Sequence, residues 1–331
     1  MIPETRRDAV QSALREVFGG RPASALQPIS GGVSGAAIFR FEVEERPYLL
    51  RLEPERIAFE DRERGFVCMT AAAIAGVAPP VHHADAAAGV AIMDFIPSRP
   101  LSEHPGGLAW MVRELGDLTA RVQATAPFPR LGDYPQMIGT LLAALDASGH
   151  FAPGVLAVHT HGLAHLQAAY PWDAQALVSS HNDPNPRNIL FDGRRLWLID
   201  WELAFRNDPL ADVAILTTEF AQTPELEDLL LEATFGRAPD QALRDRLRVM
   251  RLLTRLFYGC IVLENFAHAP AVDVDPGALT PDGFRAAVAD GRLASGAPST
   301  AYAFGRMSLA AFVDGLAEPG FDAALERVRR G

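Results

Sequence analysis

The densest group of side chains able to do chemistry is His181-Asn182-Asp183-Pro184-Asn185-Pro186-Arg187-Asn188, followed twelve residues later by Asp200 at the end of an apolar run. Phosphoryl transfer needs an oxygen base beside the attacking hydroxyl. It also needs hard oxygen ligands for magnesium, because the metal bridges the phosphate oxygens whose charge must be stabilised. An H-x-D-x-x-x-x-N loop with a following strand-end aspartate supplies both. Asp183 is placed to take the substrate proton, and Asn188 and Asp200 to hold Mg2+ through their side-chain oxygens. A polar turn capping a hairpin would explain Pro184 and Pro186. It would not explain the HxD, the five-residue step to asparagine and the separate Asp200 together.

The elements that must position this loop can be read from hydrophobic period. Residues 188–191 and 196–199 form two short apolar strands around an Asp192-Gly193 turn. Near the N-terminus, Val10, Ala13, Leu14, Val17 and Phe18 recur at helical spacing and stop at Gly19-Gly20. Alternation then marks strands at 37–43 and 47–53, a helix at about 58–75 and a further apolar strand ending at Pro97. Beyond Pro97 the pattern is mostly helical, with long helical stretches from Pro224 and from about Asp240 to Phe266. Residues 268–300, rich in Pro, Gly, Asp and Ala, read as a long irregular connection before a last helix.

Composition narrows the chemistry. The 331 residues, 49% hydrophobic and 21% charged, are enough to bury a core in two domains or two lobes. Thirty basic against 41 acidic residues give a net charge of −11, which disfavours nucleic acid and anionic membranes and favours a cationic small substrate. All thirty basic residues are arginine. A Walker A lysine, a pyridoxal Schiff base and a Ser-Lys hydrolase are therefore excluded. Cys68 and Cys260 are too few for a disulfide framework or a structural zinc site and read as buried free thiols. The charged N-terminus has no apolar core of signal-peptide length, and no run of 18 apolar residues occurs, so a cytoplasmic location is expected.

The segment SHNDPNPRNILFDGRRLWLIDWELAFRNDPLADVA resembles the catalytic and metal-binding segment of the aminoglycoside phosphotransferase and choline kinase superfamily, small-molecule relatives of the protein kinases. The resemblance extends from about residue 26 to the end and is dense in 177–215. It implies an α+β, protein-kinase-like two-lobed fold: an N-terminal antiparallel sheet lobe at 1–96 and a larger, mainly helical lobe at 97–331 carrying the catalytic loop, with ATP as the nucleotide and Mg2+ as the metal. It further implies that Ser30, Gly31, Gly32 and Ser34 cover the phosphates. Arg51 then stands where protein kinases place their nucleotide lysine, and a guanidinium can bind phosphate through two parallel hydrogen bonds. Its acidic partner is expected on the following helix, at Glu63 or, in reserve, Glu60. MDFIP resembles the hinge strand, so backbone groups from Met93 to Phe95 are expected against adenine. Asp212 matches an aspartate that braces the catalytic loop, and His181 is read as orienting that loop. Arg187 stands where these kinases usually carry glycine.

The acceptor expected from the resemblance is a choline- or ethanolamine-like amino alcohol, because IDWE and the NDPLADVA stretch are closer to bacterial choline kinases than to aminoglycoside enzymes. A quaternary ammonium needs aromatic faces and a nearby carboxylate. Trp201, Phe257 and Tyr258 are the candidate faces, with Glu202 and Glu219 as anions. Two departures stand against it: Ile261 where the family's aromatic cluster would continue, and Gln123 where many relatives have histidine. An aminoglycoside, a sugar or another metabolic alcohol is the alternative acceptor, and a non-catalytic nucleotide-binding protein the alternative class. The group His159, His161 and His165 has metal-compatible spacing but no carboxylate to complete it, and reads as helix-surface histidines.

Overall fold

Strict alternation builds the N-terminal sheet. In the computed structural model, which describes residues 2–29, 35–54, 61–266 and 279–330, strands β1 (Gln27–Ile29), β2 (Ala37–Val43), β3 (Arg46–Leu52), β4 (Val81–Asp85) and β5 (Val90–Asp94) form one antiparallel sheet in the order β1-β2-β3-β5-β4. Phe39, Phe41 and Val43 share one face with Tyr48, Leu50 and Leu52. Helix α1 (Arg7–Phe18) covers that face, and the Phe18 ring meets Tyr48 edge-on at 4.8 Å. The side-chain period of two therefore turns Leu49 and Arg51 to the opposite face. Helix α2 (Arg62–Ile74) follows, its first turn capped by Asp61, whose carboxylate accepts the Arg64 amide at 2.8 Å.

Chain packing divides the protein into two compact units, one comprising Met1–Arg130 and Ala176–Ala238, the other Leu131–Gln175 and Pro239–Gly331. The first unit joins the sheet to α3 (Gly107–Gln123), to strands β6 (Val178–Ser180), β7 (Ile189–Phe191), β8 (Leu196–Leu198) and β9 (Phe205–Asn207), and to α6 (Ala211–Phe220) and α7 (Pro224–Phe235). Strand β7 pairs with β8 and β6 with β9, both antiparallel. Gly116 of α3 lets the backbone of α7 approach: a Cβ there would lie 2.5 Å from that of Ala233. So the expected sheet at 1–96 shares a unit with the hairpin that follows the catalytic loop.

The second unit is helical: α4 (Tyr134–Ala147), α5 (Ala157–Ala169), α8 (Gln241–Glu264), α9 (Pro281–Ala289), α10 (Pro298–Leu316) and α11 (Phe321–Arg330). Helix α9 falls inside the stretch expected to be irregular. Thr280 caps it and Pro281 opens it, a start signal that the surrounding Gly, Pro and Asp obscure. Cys68 in the first unit and Cys260 in the second are both buried and unbridged, and burial pushes each thiol up to about 12. Among the described residues no helix is long and apolar enough to cross a membrane.

His161 and His165 are exposed on α5, whereas His159 is buried. The His159 Nε2 lies 3.2 Å from the Leu309 carbonyl, and its ring stacks on Phe312. Burial lowers its pKa, against the raising effect of that carbonyl. The unfolded chain therefore binds a proton at His159 at a pH where the folded chain does not, and stability is lost as pH falls below about 6.5. His159→Gln keeps a donor for Leu309 and removes the titration. Urea titrations between pH 7.5 and 5.5 are expected to show a flatter pH dependence for the variant, by up to about 1.4 kcal/mol per pH unit.

Candidate active site

The catalytic loop is fixed before any ligand arrives. Asp212, at the start of α6 and 2% exposed, accepts the amide of His181 at 2.8 Å on one carboxylate oxygen and that of Asn182 at 2.7 Å on the other. Burial raises its pKa, against the lowering effect of His181 and of both amides. Asn182 adopts a left-handed backbone, φ 62°, a conformation asparagine tolerates better than most residues. Its side-chain amide donates to the carbonyls of Leu203 and Phe205 and accepts from Asn207 at 2.8 Å. His181 spends both ring nitrogens on backbone: Nε2 donates to the Ile199 carbonyl at 2.9 Å, and Nδ1 accepts the Asp183 amide at 3.3 Å. Gln123 also lies in this unit and donates to the Pro209 carbonyl at 2.8 Å, just before α6.

This bracing presents Asp183. Its Oδ1 accepts from Asn185 Nδ2 at 2.8 Å and its Oδ2 from Asn188 Nδ2 at 2.9 Å. Each carboxylate oxygen carries two lone pairs, so these two bonds by themselves do not exhaust its capacity to accept. Asn188 spends its NH2 group on Asp183, which leaves its Oδ1 as the side-chain atom able to bind a metal. Its carbonyl accepts the Ile199 amide at 2.9 Å, which carries the chain to Asp200. Asp200 turns there in a left-handed conformation, φ 67°, and the 3-10 turn Trp201–Leu203 follows. Arg187 is exposed, and its backbone amide donates to Asn185 Oδ1.

Arg51 enters the same site from β3. Its Nε donates to Glu53 Oε1 at 2.5 Å, and its Nη2 donates to Asp200 Oδ1 at 3.0 Å and to Glu202 Oε1. Burial opposes the charge, yet Asp200, Glu53 and Glu202 outweigh it and raise the guanidinium's pKa. Glu202 is raised as well, by burial and by Asp200, against the opposing pull of Arg51. Three carboxylates thus share one cation, and among the described residues Glu53 Oε2 is buried without a hydrogen-bond partner. Asn188 Oδ1 and the Asp200 carboxylate are hard oxygen donors of the kind magnesium takes; among the described residues, no group of three or more carboxylate, histidine or cysteine side chains is placed to hold a metal ion.

Several expectations are corrected. Glu63 does not pair with Arg51: it is exposed on α2, and the guanidinium's partners are Glu53, Asp200 and Glu202. The α2 position that faces the metal-binding turn is Gly65, where a Cβ would lie 3.7 Å from the Trp201 carbonyl oxygen and 3.9 Å from Glu202 Cα. Trp201 is not an open aromatic wall. It is 4% exposed, packed against His181 at 4.5 Å and edge-on to Phe128 at 6.0 Å. Phe257, in the other unit, is equally buried, with Tyr134 at 5.2 Å. Tyr258 and Glu219 are half-buried. Met93 lies in β5 with β3 and β4 on either side, and the amides of Asp94 and Phe95 donate to the carbonyls of Pro80 and Pro47. A backbone hydrogen bond between Asp94 or Phe95 and adenine would therefore be one that the carbonyl accepts. Ser30, Gly31, Gly32, Ser34 and Glu60 lie outside the described residues. Sequence reasoning missed Glu53. Its signal was the two-residue step from Arg51, which puts both on one face of an extended chain.

A braced loop carboxylate, an adjacent amide, a strand-end carboxylate and a buried guanidinium from the antiparallel sheet thus belong to one unit of the protein. Residues 25–249 match the phosphotransferase enzyme family, and the chain belongs to that family. A choline/ethanolamine kinase family protein from Mesorhizobium loti is 25% identical, covers 98% of this chain and 100% of its own, and superposes with a TM-score of 0.68. A choline kinase from Cryptosporidium parvum shares the fold, with a TM-score of 0.70 at 13% identity over 98% of each chain. Protein LicA of Haemophilus influenzae is 33% identical over 84 residues, 24% of this chain and 32% of that protein. The match thus spans about a third of that curated relative's length.

Asp212→Ala removes the acceptor of two buried amides, and orphaning each costs roughly 1–3 kcal/mol. Asp212→Asn keeps one acceptor oxygen. Chemical denaturation is expected to rank wild type above Asp212→Asn and that above Asp212→Ala.

Proposed function

We propose that this protein is a small-molecule kinase that uses ATP and Mg2+ to phosphorylate the hydroxyl of an amino alcohol, with choline or ethanolamine as the leading acceptor. The observation that carries the reaction type is the Asp183 carboxylate, gripped by Asn185 and Asn188 on the loop that also leads to Asp200. Asn188 Oδ1 and Asp200 would hold the metal, which supplies charge stabilisation on the phosphate oxygens when bound. Asp183 takes the proton of the attacking hydroxyl through a lone pair not engaged by its two asparagine donors. Those donors fix the carboxylate plane, so the base meets the hydroxyl without first reorganising. Arg51 offers guanidinium N–H groups to the nucleotide's phosphates. His181 and Asp212 keep the loop in register and transfer no proton.

Support for an amino alcohol is the full-length likeness to the Mesorhizobium loti protein, together with the net charge of −11. The cation's anionic partner in this reading is the half-buried Glu219, since Trp201 and Phe257 are packed away. That burial favours a small ammonium over one needing a full aromatic cage, which makes ethanolamine a serious rival to choline.

ADP release measured with Mg2+-ATP across choline, ethanolamine, aminoglycosides and sugar alcohols tests the proposal. Asp183→Asn is expected to lower turnover by about 10²–10⁴ while leaving the thermal midpoint within a few degrees. Turnover confined to aminoglycosides would overturn the acceptor. Nucleotide binding without turnover on any alcohol would favour a regulatory protein.

A further inference from the structure

The carboxylate that organises the nucleotide-side cation is expected on the helix after β3, and among the described residues no carboxylate of that helix reaches it. Glu63 points to solvent, Gly65 faces the metal-binding turn, and the buried residue between them is Arg64, 1% exposed, whose Nη1 donates to the Ala204 carbonyl at 2.5 Å. Helix α2 therefore presents a cation and a bare backbone where an anion was expected. Burial lowers the Arg64 pKa, against the raising effects of Cys68, Asp61 and Glu202. The helix is thus tied to the turn after Asp200 through Arg64.

Glu53 occupies the vacancy from a different element. Its side chain is 7% exposed, and its backbone is pinned twice: its amide donates to the Gly89 carbonyl at 2.9 Å and its carbonyl accepts from Arg6 at 3.3 Å. The division of labour on the guanidinium is specific. Asp200 and Glu202 share Nη2, whereas Glu53 alone holds Nε, the nitrogen nearest the side-chain stem. A ligand that draws Asp200 and Glu202 away releases the outer nitrogens for phosphate, and the Nε contact remains to aim them.

We propose that Glu53 is the positioning residue for Arg51, holding the guanidinium from just past the end of the same strand so that its outer N–H groups meet the nucleotide's phosphates. This rests on the kinase reading above. It places the Nε contact outside α2, which reaches Arg51 only indirectly, through the turn that carries Glu202.

Two measurements on the full chain separate this from the kinase reading. The first needs no nucleotide: the Arg51 Nε–Hε resonance, assigned by its loss in Arg51→Met, is expected to exchange slowly with solvent in wild type and in Glu63→Gln, and rapidly in Glu53→Gln. The second is the affinity for Mg2+-ADP by calorimetry. Glu53→Gln is expected to bind about tenfold or more weakly, the scale of one charge-assisted hydrogen bond, with Glu53→Asp in between and Glu63→Gln within twofold of wild type. Circular dichroism selects the folded variants, and Glu53→Asp carries the test if Glu53→Gln does not fold. Unchanged exchange and affinity in the Glu53 variants, or an equal loss in Glu63→Gln, overturns the role of Glu53. Slow exchange in wild type that Glu53→Gln abolishes, with no Mg2+-ADP binding by wild type, overturns the kinase reading instead.

Discussion

A buried backbone amide must find an acceptor, and the catalytic loop meets that requirement through one side chain. Asp212 accepts the amides of His181 and Asn182 in a place closed to water. Because Asn182 then has to turn left-handed, its side chain lies where it can tie the carbonyls after Asp200. The loop base and the metal-binding turn, seventeen residues apart in sequence, become one rigid body. Without that anchor, Asp183 would sit on a Pro-rich loop with no fixed direction. With it, the chain's most reactive residues are held by hydrogen bonds that cost nothing further when a ligand binds.

Charge is balanced less completely than hydrogen bonding. Around Arg51 the protein gathers Glu53, Asp200 and Glu202, more anions than the one guanidinium neutralises. Burial makes the imbalance costly, which is why Glu202 is pushed above its usual range. A cluster in that condition carries more negative than positive charge, and a cation bound only by the folded protein would offset the cost of burying it.

The loop chemistry was legible in sequence because its members are contiguous. Asp183, Asn188 and Asp200 fall within eighteen residues, and a tight loop leaves few ways to separate them. The alternation of β2 and β3 likewise fixed which face Arg51 occupies. Helix α9 was hidden because its capping signal lies among residues that ordinarily break helices.

Period and contiguity are local properties, so the sequence by itself determined the strands, the main helices, the catalytic loop and the class of chemistry. Which carboxylate meets Arg51 was decided only by tertiary structure. A helical residue advances about 100° for each step, so whether Glu63, Arg64 or Gly65 faces inward depends on how α2 is rotated against the turn after Asp200. The same holds for Trp201, whose ring could have lined a ligand site or filled the core. Packing against His181 and Phe128 took it inward, because burying an indole between two partners gains more than leaving it open to solvent.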